Sequence, residues 1–235
     1  MILLVGSMSL INLSAQKTII NDPNAEVRAV KGYHAIEVSD AVELYLSQGD
    51  LETVAVSARE IKWRDRIRTV VEDGVLKISV DKKGLSWNTG NKKMKAYVSF
   101  TTLDKLRASG ASDVFVDGVI AGNSLSLNLS GASDFKGAVK VNELRVEQSG
   151  ASDVHITGMV AGLTAVNSSG ASDLKGYDLV TDSCEAHASG ASDIRITVNK
   201  NIHASASGAS SIYYKGDATV SDLHSSGAST VSKKG

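Results

Sequence analysis

Apolar and polar residues alternate along most of this chain with a period of two. Between Ile36 and Phe100 the apolar positions recur at every second residue within short segments, of which Leu76-Lys77-Ile78-Ser79-Val80 is one. Such alternation is typical of a half-buried β-strand, whereas an amphipathic helix repeats every three or four residues. The pattern predicts an all-β fold. Residues 60–70 could form either a short helix or an irregular crossover, and the Asp73-Gly74 pair predicts a hairpin turn.

A pentapeptide returns at nearly constant intervals through the second half of the chain. Ser109-Gly110-Ala111-Ser112-Asp113 recurs from Ser130, Ser149, Ser169 and Ser189, and in altered form from Ser207 and Ser226. Successive starts are separated by 21, 19, 20, 20, 18 and 19 residues. Repeats of this length belong to solenoids, in which each unit buries its apolar face against its neighbours.

The residues around the pentapeptide indicate which solenoid this is. An apolar residue stands three positions before each first Ser, in the column Leu106, Leu127, Val146, Val166, Ala186, Ala204 and Leu223. The Leu and Asn framework of a leucine-rich repeat is missing, and helical repeats need longer units. We therefore expect a parallel β-helix whose coils of about 20 residues hold two or three short strands and lie about 4.8 Å apart.

The first residues have the features of an export signal. The segment Met1–Gln16 is apolar and ends in Leu13-Ser14-Ala15, which places a small residue where signal peptidase requires one. It carries no basic residue, so the true start codon stays open, and a first strand of the fold is the alternative. We interpret residues 1–15 as a signal peptide and expect a protein exported to the periplasm or the cell surface, with no transmembrane segment in the mature chain.

No linker divides the rest of the chain. We expect residues 16–235 to form a single β-solenoid domain, with irregular β layers over residues 26–100 and regular coils over residues 101–235. The single cysteine, Cys184, cannot form an internal disulfide. It falls in the column of Leu125, Leu144 and Ile202, which predicts a buried thiol. A net charge of −1, without a basic patch, argues against a nucleic-acid partner.

Each pentapeptide predicts a tight corner. Its Gly permits positive φ or close backbone approach, its Ala is small enough to face the interior, and its Ser and Asp can bond neighbouring N–H groups. The structural glycines of the repeat are Gly110, Gly131, Gly150, Gly170, Gly190, Gly208 and Gly227.

Stacked corners would set the fifth-position carboxylates in a ladder, formed by Asp113, Asp134, Asp153, Asp173 and Asp193. Like charges about 4.8 Å apart repel, so something must offset them. Backbone donors, Ser hydroxyls and nearby cations suffice for a structural corner. A ladder of calcium ions is the alternative, although we expect no cofactor.

A second outward column lies two positions beyond each Asp and is basic through its middle: Phe115, Lys136, His155, Lys175, Arg195 and Tyr213. It could neutralise the aspartates on a solvated face or bind an acidic polysaccharide. Trp87, in a loop, could stack on a sugar or cover an end of the solenoid. The candidate ligand-binding residues are therefore Lys136, His155, Lys175, Arg195 and Trp87.

A third outward group gathers histidines and carboxylates in the last coils: Glu185, His187, His203, Asp222 and His224. These are ligand types suited to zinc or another transition metal. The alternative is a set of exposed side chains without a metal.

The sequence resembles the bacterial putative auto-transporter adhesin family, head GIN domain. The resemblance is carried by Ile36-Glu37-Val38 to Leu46-Ser47-Gln48-Gly49, by Asp73-Gly74-Val75-Leu76-Lys77-Ile78, and by Leu103-Asp104-Lys105-Leu106 with the pentapeptide repeats that follow. It runs from about residue 28 to the end. The resemblance implies an exported right-handed β-helix with an adhesin-like role, and it supplies no catalytic residues.

The turns between the repeats are short and uniform, and no nucleophile elbow, phosphate loop or His-Glu-x-x-His pattern occurs. We therefore predict a non-enzymatic, adhesin-like binding module that presents a repetitive polar surface to a glycan or a cell-envelope component. One alternative is a structural or assembly element that self-associates through its coil ends. Another is a polysaccharide lyase or hydrolase built on a β-helix.

Overall fold

The computed structural model describes residues 22–83 and 92–235. The predicted signal peptide and the loop residue Trp87 lie outside the described residues.

The described chain forms eighteen strands and one short helix. The less regular part holds β1 (Glu26–Arg28), β2 (Ala35–Val38), β3 (Glu43–Gln48), β4 (Thr53–Ser57), α1 (Ile61–Arg64), β5 (Ile67–Glu72), β6 (Val75–Val80) and β7 (Lys95–Phe100). The repeats hold β8 (Lys105–Ala108), β9 (Val114–Ala121), β10 (Ser124–Leu129), β11 (Phe135–Val141), β12 (Glu143–Gln148), β13 (Asp153–Ser168), β14 (Asp173–Ala188), β15 (Asp193–Ala206), β16 (Ser211–Lys215), β17 (Thr219–Ser225) and β18 (Thr230–Lys233).

Two parallel stacks of strands build the body. The strands that precede each pentapeptide form the A stack, in the order β6, β2, β8, β10, β12, the second halves of β13, β14 and β15, and β17. The strands that follow it form the B stack, in the order β7, β3, β9, β11, the first halves of β13, β14 and β15, then β16 and β18. Coils repeat roughly every 20 residues, which confirms the predicted parallel β-solenoid.

The first coils are stacked in a different order from their order in the sequence. The coil of β2 and β3 lies between the coil of β6 and β7 and the coil of β8 and β9. Beyond β6 the A stack ends in the antiparallel strand β5, joined by a turn at Asp73-Gly74 with φ values of 50° and 75°. The predicted hairpin is confirmed.

Antiparallel strands also close the B stack, since β4 pairs with β7 and β1 pairs with β4. Residues 60–70, for which the sequence allowed a helix or a crossover, contain α1 and the start of β5. Trp63 of α1 is only 6% exposed, and the Lys92 ammonium lies 4.6 Å from the centre of its ring. Trp63 therefore covers this end of the core.

The core is a set of apolar columns running between the two stacks. The column that begins at Leu106 is buried at every coil except the last, where Leu223 is 38% exposed. Cys184 is buried among these columns, as its register predicted, and burial raises the pKa of its thiol to about 12. The interior is filled by Leu, Val, Ile and Ala side chains at most of its positions.

The corner differs from the prediction in which side chain faces inward. The third-position alanines, beginning with Ala111, are exposed, so the prediction that they face the interior is wrong. The fourth-position serines are fully buried instead: Ser112, Ser133, Ser152, Ser172, Ser192 and Ser210. Gly110 has a φ of 78° and lies exposed at the corner, while Ala108, Ser112 and Val114 are buried and keep the two-residue alternation on either side of it.

Four of the buried serines, Ser152, Ser172, Ser192 and Ser210, close their corners from inside, whereas the Ser112 hydroxyl is buried without a hydrogen-bond partner among the described residues. The Ser172 hydroxyl donates to the Ser169 carbonyl at 2.9 Å, and the Ser192 hydroxyl donates to the Ser189 carbonyl at 2.9 Å. A hydroxyl buried without a partner would cost stability, so the short bond to the first Ser of the same pentapeptide makes a polar interior tolerable.

Glycine at the second position is required by the stacking of one corner on the next. Gly131 has a φ of 77°, and a Cβ placed on it would lie 2.5 Å from the Gly110 carbonyl oxygen. That oxygen accepts the Ala132 N–H at 2.8 Å. The close approach that makes this bond leaves no room for a side chain.

Candidate functional site

The aspartate ladder is present along the B stack. Asp153, Asp173 and Asp193 are paired in register, and the Asp153 N–H donates to the Asp134 carboxylate at 3.3 Å. At the start of the ladder, partial burial raises the pKa of Asp113, and the neighbouring charges of Asp134 and Glu43 raise it further. The repulsion expected between stacked carboxylates is therefore present at this end of the ladder.

The basic column neutralises the other end of the ladder. The Lys175 ammonium lies 3.1 Å from the Asp153 carboxylate. The Arg195 guanidinium lies 2.8 Å from the carboxylate of Asp193 and 3.8 Å from that of Asp173. These contacts favour mutual charge neutralisation, the first of the two interpretations of the column.

Other members of the basic column take no part in ion pairs with the ladder. Lys136 and His155 have no ion-pair partner among the described residues. Arg195 and the Lys234 ammonium lie 6.0 Å and 4.4 Å from the centre of the Tyr213 ring. Binding of an acidic polysaccharide here stays a prediction.

Aromatic rings extend the same column toward the N-terminal end. Tyr97, Tyr45 and Phe115 occupy successive coils, with 5.3 Å between neighbouring ring centres and interplanar angles of 23° and 25°. Sequence reasoning found Phe115 but missed the two tyrosines, because the pentapeptide is degenerate before residue 109. The ring faces of Tyr45 are covered by its neighbours, so they cannot stack on a sugar.

The histidine group lies on the outer face of the last coils. His203 is in register with Glu185 on one side and Asp222 on the other. The His224 Nε2 atom lies 2.9 Å from the Asp222 carboxylate, and the His203 Nδ1 atom lies 3.7 Å from it. The centre of the His187 ring is 5.8 Å from that of His203. The structure thus brings the five predicted residues onto one surface.

In residues 22–83 and 92–235 no three His, Cys, Asp or Glu side chains are arranged to hold a metal ion. The histidine group and the aspartate ladder stay predictions as metal sites.

A groove runs along the A stack. It follows the outward residues two positions before each first Ser, in the column Arg107, Asn128, Glu147, Asn167, His187 and Ser205. Strand pairing holds these residues in register across six successive coils. We call this surface the A-face groove. Its volume is about 820 Å³, and the spacing of strands gives it a length of about 24 Å.

The charges in the A-face groove are paired. Arg145 makes two hydrogen bonds to one Glu147 carboxylate oxygen, at 2.9 and 2.7 Å. Arg107 lies 3.0 Å from the carboxylate of Glu37, in the neighbouring coil. The groove is therefore polar but close to neutral.

The floor of the groove is held rigidly by a buried glutamine. Gln148 is 3% exposed, and its amide nitrogen donates to the carbonyls of Ser152 and Asp173, each at 3.0 Å. Its amide oxygen accepts the Ser168 hydroxyl at 2.9 Å. By contrast, the side chain of Asn167, above this floor, has no hydrogen-bond partner among the described residues.

The sequence carries a signal for this groove. The column two positions before each first Ser includes His187 of the predicted metal group, and every member from Arg107 to Ser205 is polar. What the sequence alone does not show is that the first Ser of each pentapeptide forms the opposite wall, as Ser149 and Ser169 do.

Comparison with known proteins adds to this geometry. Solved structures with similar folds include an adhesin, described as putative, from Bacteroides fragilis, which is 25% identical with a TM-score of 0.79 and covers 89% of this chain and 96% of its own. A protein from Parabacteroides distasonis described as a putative lipid binding protein is 20% identical, with a TM-score of 0.68 and coverage of 91% and 98%. A putative adhesin from Parabacteroides merdae is 15% identical, with a TM-score of 0.65 and coverage of 90% and 95%.

No curated protein matches the chain. Among the described residues, no helix has the length and apolar character needed to span a membrane. The family described as "Putative auto-transporter adhesin, head GIN domain" matches residues 32–218. The chain therefore belongs to the family of putative auto-transporter adhesins, head GIN domain.

Proposed function

We propose that this protein is an exported, non-enzymatic binding module, and that it holds an extended, uncharged glycan of the cell envelope or its surroundings in the A-face groove. The observation that carries the proposal is the in-register column from Arg107 to Ser205, which places a polar side chain at the same position in six successive coils.

The chemistry of the groove suits a polymer of hydroxyl groups. The amide of Asn167 can donate and accept hydrogen bonds, as can the hydroxyl of Ser205. The Ser169 hydroxyl donates to the Gln148 carbonyl at 3.1 Å and can accept a hydrogen bond from a ligand. The Arg145 and Glu147 pair offers donors and an acceptor without net charge. An acidic polymer would meet no excess of positive charge here, so a neutral glycan fits better than an anionic one.

The periodic arrangement also supports an extended ligand. Each coil adds another copy of the wall about 4.8 Å further along. Individually weak contacts along one polymer chain then add up, because each further contact is intramolecular once the first has formed.

A lipid is a less suitable ligand for this chain, although one structural neighbour is described as a putative lipid binding protein. Core residues such as Val166, Ala186 and Ala204 are fully buried and fill the interior. An acyl chain would have to lie on the outer surface, and the A-face groove is lined mainly by polar side chains.

The experiment is a glycan-array screen of the full chain and of the variant Asn128→Ala/Asn167→Ala, with calcium and again with chelator. The proposal predicts selective binding of neutral glycans in both buffers and a loss of affinity of about tenfold or more in the variant, since two hydrogen bonds of about 0.5–1.5 kcal/mol each are removed.

The matched control is Asn199→Ala/Asn201→Ala, which makes the same chemical change at two exposed positions outside the groove. It should bind like the unmodified chain. Absence of glycan binding in both buffers would contradict the proposal, and loss of binding in chelator would transfer the site to the aspartate ladder.

A further inference from the structure

The two ends of the solenoid are finished differently. At one end the core columns stop beneath Trp63, and antiparallel strands cover both stacks. At the other end β17 and β18 remain parallel to the strands before them, and each pairs on one side only among the described residues. This second end keeps the backbone geometry on which a further strand could add.

The core is open at this end. Val220 is 42% exposed and Leu223 is 38% exposed, whereas Ile202 and Ala204, their register partners in the preceding coil, are fully buried. Two core columns therefore reach the surface along the free edge of β17. Burying them requires another layer of strand.

We propose that the free edge of β17 pairs antiparallel with β17 of a second copy of this chain, in a two-fold symmetric dimer centred on Leu223. In this register Leu223 lies opposite Leu223 of the partner on the inner face. Asp222 lies opposite His224 of the partner on the outer face, and the reciprocal pair forms by symmetry.

The charges of β17 select this register. Opposite-charge or hydrogen-bonded pairs directly across an antiparallel ladder stabilise it, and like charges destabilise it. Centring the pair on Asp222 would place two carboxylates opposite each other, and centring it on His224 would place two imidazoles opposite each other. Of these three registers, only the one centred on Leu223 places Asp222 opposite a histidine and His224 opposite a carboxylate.

The same geometry excludes open-ended growth. A head-to-tail contact would produce filaments, but the other end of the solenoid is closed by antiparallel strands and Trp63. The dimer is therefore closed. Because the two-fold axis is perpendicular to the sheet, both A faces lie on the same side and the two grooves run along one surface.

The test is sedimentation velocity of the full chain over a range of concentrations. We expect a reversible monomer–dimer equilibrium with no larger species. Asp222→Lys places Lys opposite His, and His224→Glu places Glu opposite Asp, so each should raise the dimer dissociation constant at least about tenfold. The double variant Asp222→Lys/His224→Glu should restore dimerisation.

Glu147→Lys is the control, since it changes a charge on the same stack four coils before β17 and should leave the dimer unchanged. Circular dichroism checks that every variant is folded. A monomeric unmodified chain, single variants that dimerise normally, a double variant that stays monomeric, or species that grow beyond the dimer would each overturn the proposal.

Discussion

Asp40 occupies in its coil the place that Gly110 occupies in the next one. Val38 is paired with Ala108 and Leu44 with Val114, so residues 39–43 form a degenerate copy of the pentapeptide. Asp40 has a φ of 67° and so adopts the left-handed conformation of the glycines. A side chain fits there because it reaches toward β6 rather than onto another stacked glycine.

The Asp40 side chain replaces the contact that stacked corners make elsewhere. Its carboxylate accepts the Val80 N–H at 3.1 Å and lies 2.6 Å from the Lys82 ammonium. Burial acts to raise the pKa of Asp40, but the hydrogen bonds from Lys82 and Val80 outweigh it and hold the pKa below the usual 3.8.

We predict that Asp40→Ala lowers the free energy of unfolding by about 1–3 kcal/mol, because both bonds are lost and Ala is strained at positive φ. Asp40→Gly should cost less, since only the bonds are lost. Because the folded-state pKa of Asp40 is depressed, its contribution is fully present above pH 3.8 and is lost as the pH falls through the lower folded-state value. Urea unfolding at a series of pH values from 7 downward measures this; a difference between the unmodified chain and Asp40→Ala that does not shrink as the pH falls below 3.8 would contradict it.

A series of three glycines separates the two reasons for glycine at the corner. Gly122 has a φ outside the left-handed region, and a Cβ placed on it would meet no other atom. Gly118 has a φ of 83°, and a Cβ would again meet no other atom. Gly131 has both a positive φ and the Gly110 carbonyl oxygen close to where a Cβ would lie. We expect the free energy of unfolding to change by less than about 0.5 kcal/mol in Gly122→Ala, to fall by about 1–2 kcal/mol in Gly118→Ala, and to fall by about 2–5 kcal/mol in Gly131→Ala. Equal losses for Gly118→Ala and Gly131→Ala in denaturant unfolding would show that the stacking contact contributes nothing.

Removing the charge of Asp113 should stabilise the protein. Its carboxyl has a raised pKa through partial burial and the neighbouring carboxylates, so its ionised form is disfavoured in the folded state. The penalty is absent below the unfolded-state pKa of 3.8, grows as the pH rises above 3.8 and is complete above the higher folded-state pKa. Asp113→Asn should raise the melting temperature by about 2–4 °C at pH 7, corresponding to up to about 1 kcal/mol. No gain should be seen at pH 3.

Asp153→Asn serves as the comparison for this change, because the Asp153 carboxylate is paired with Lys175. It should lower stability slightly or leave it unchanged. A melting temperature raised equally by both substitutions, in scanning calorimetry, would show that all rungs of the ladder repel alike.

The Cys184 thiol should be unreactive in the folded protein. With its pKa raised to about 12 by burial, little thiolate exists at pH 8 and the sulfur is not accessible. Labelling by a disulfide reagent should be at least about 100-fold slower than in denaturant. Labelling of the native chain at the denatured rate would mean that the coils open around Cys184.

The sequence allowed the solenoid to be predicted because its repeat is short and its core columns are regular. Leu106 and its equivalents were identified from spacing alone, as was the buried position of Cys184. The inward face of Ser112 was not identified, although Ser112 keeps the two-residue spacing of Ala108 and Val114. A buried hydroxyl needs a hydrogen-bond partner, and the carbonyls that serve Ser172 and Ser192 in this way are not visible in a sequence.

The candidate site was less predictable than the fold. The side chains of the basic column point outward, as the sequence predicted. Whether Lys175 pairs with Asp153 or is available to a ligand depends on the distance between its ammonium and the Asp153 carboxylate, which is 3.1 Å and cannot be obtained from the spacing of residues. The A-face groove lies between the column of Asn167 and the wall that contains Ser169. How deep the groove is depends on the angle at which the chain turns at the corner, and spacing in the sequence does not give that angle. The degenerate coil at Asp40 was hidden because it lacks the glycine by which the repeat was recognised.

We propose that the A-face groove, rather than the basic column on the B stack, binds the ligand. The most direct test measures glycan affinity for Asn128→Ala/Asn167→Ala and for Lys136→Glu/Lys175→Glu/Arg195→Glu side by side. We predict a loss of about tenfold or more for the first variant and an unchanged affinity for the second. Retained binding by the first variant together with lost binding by the second would contradict the claim and place the site on the basic column.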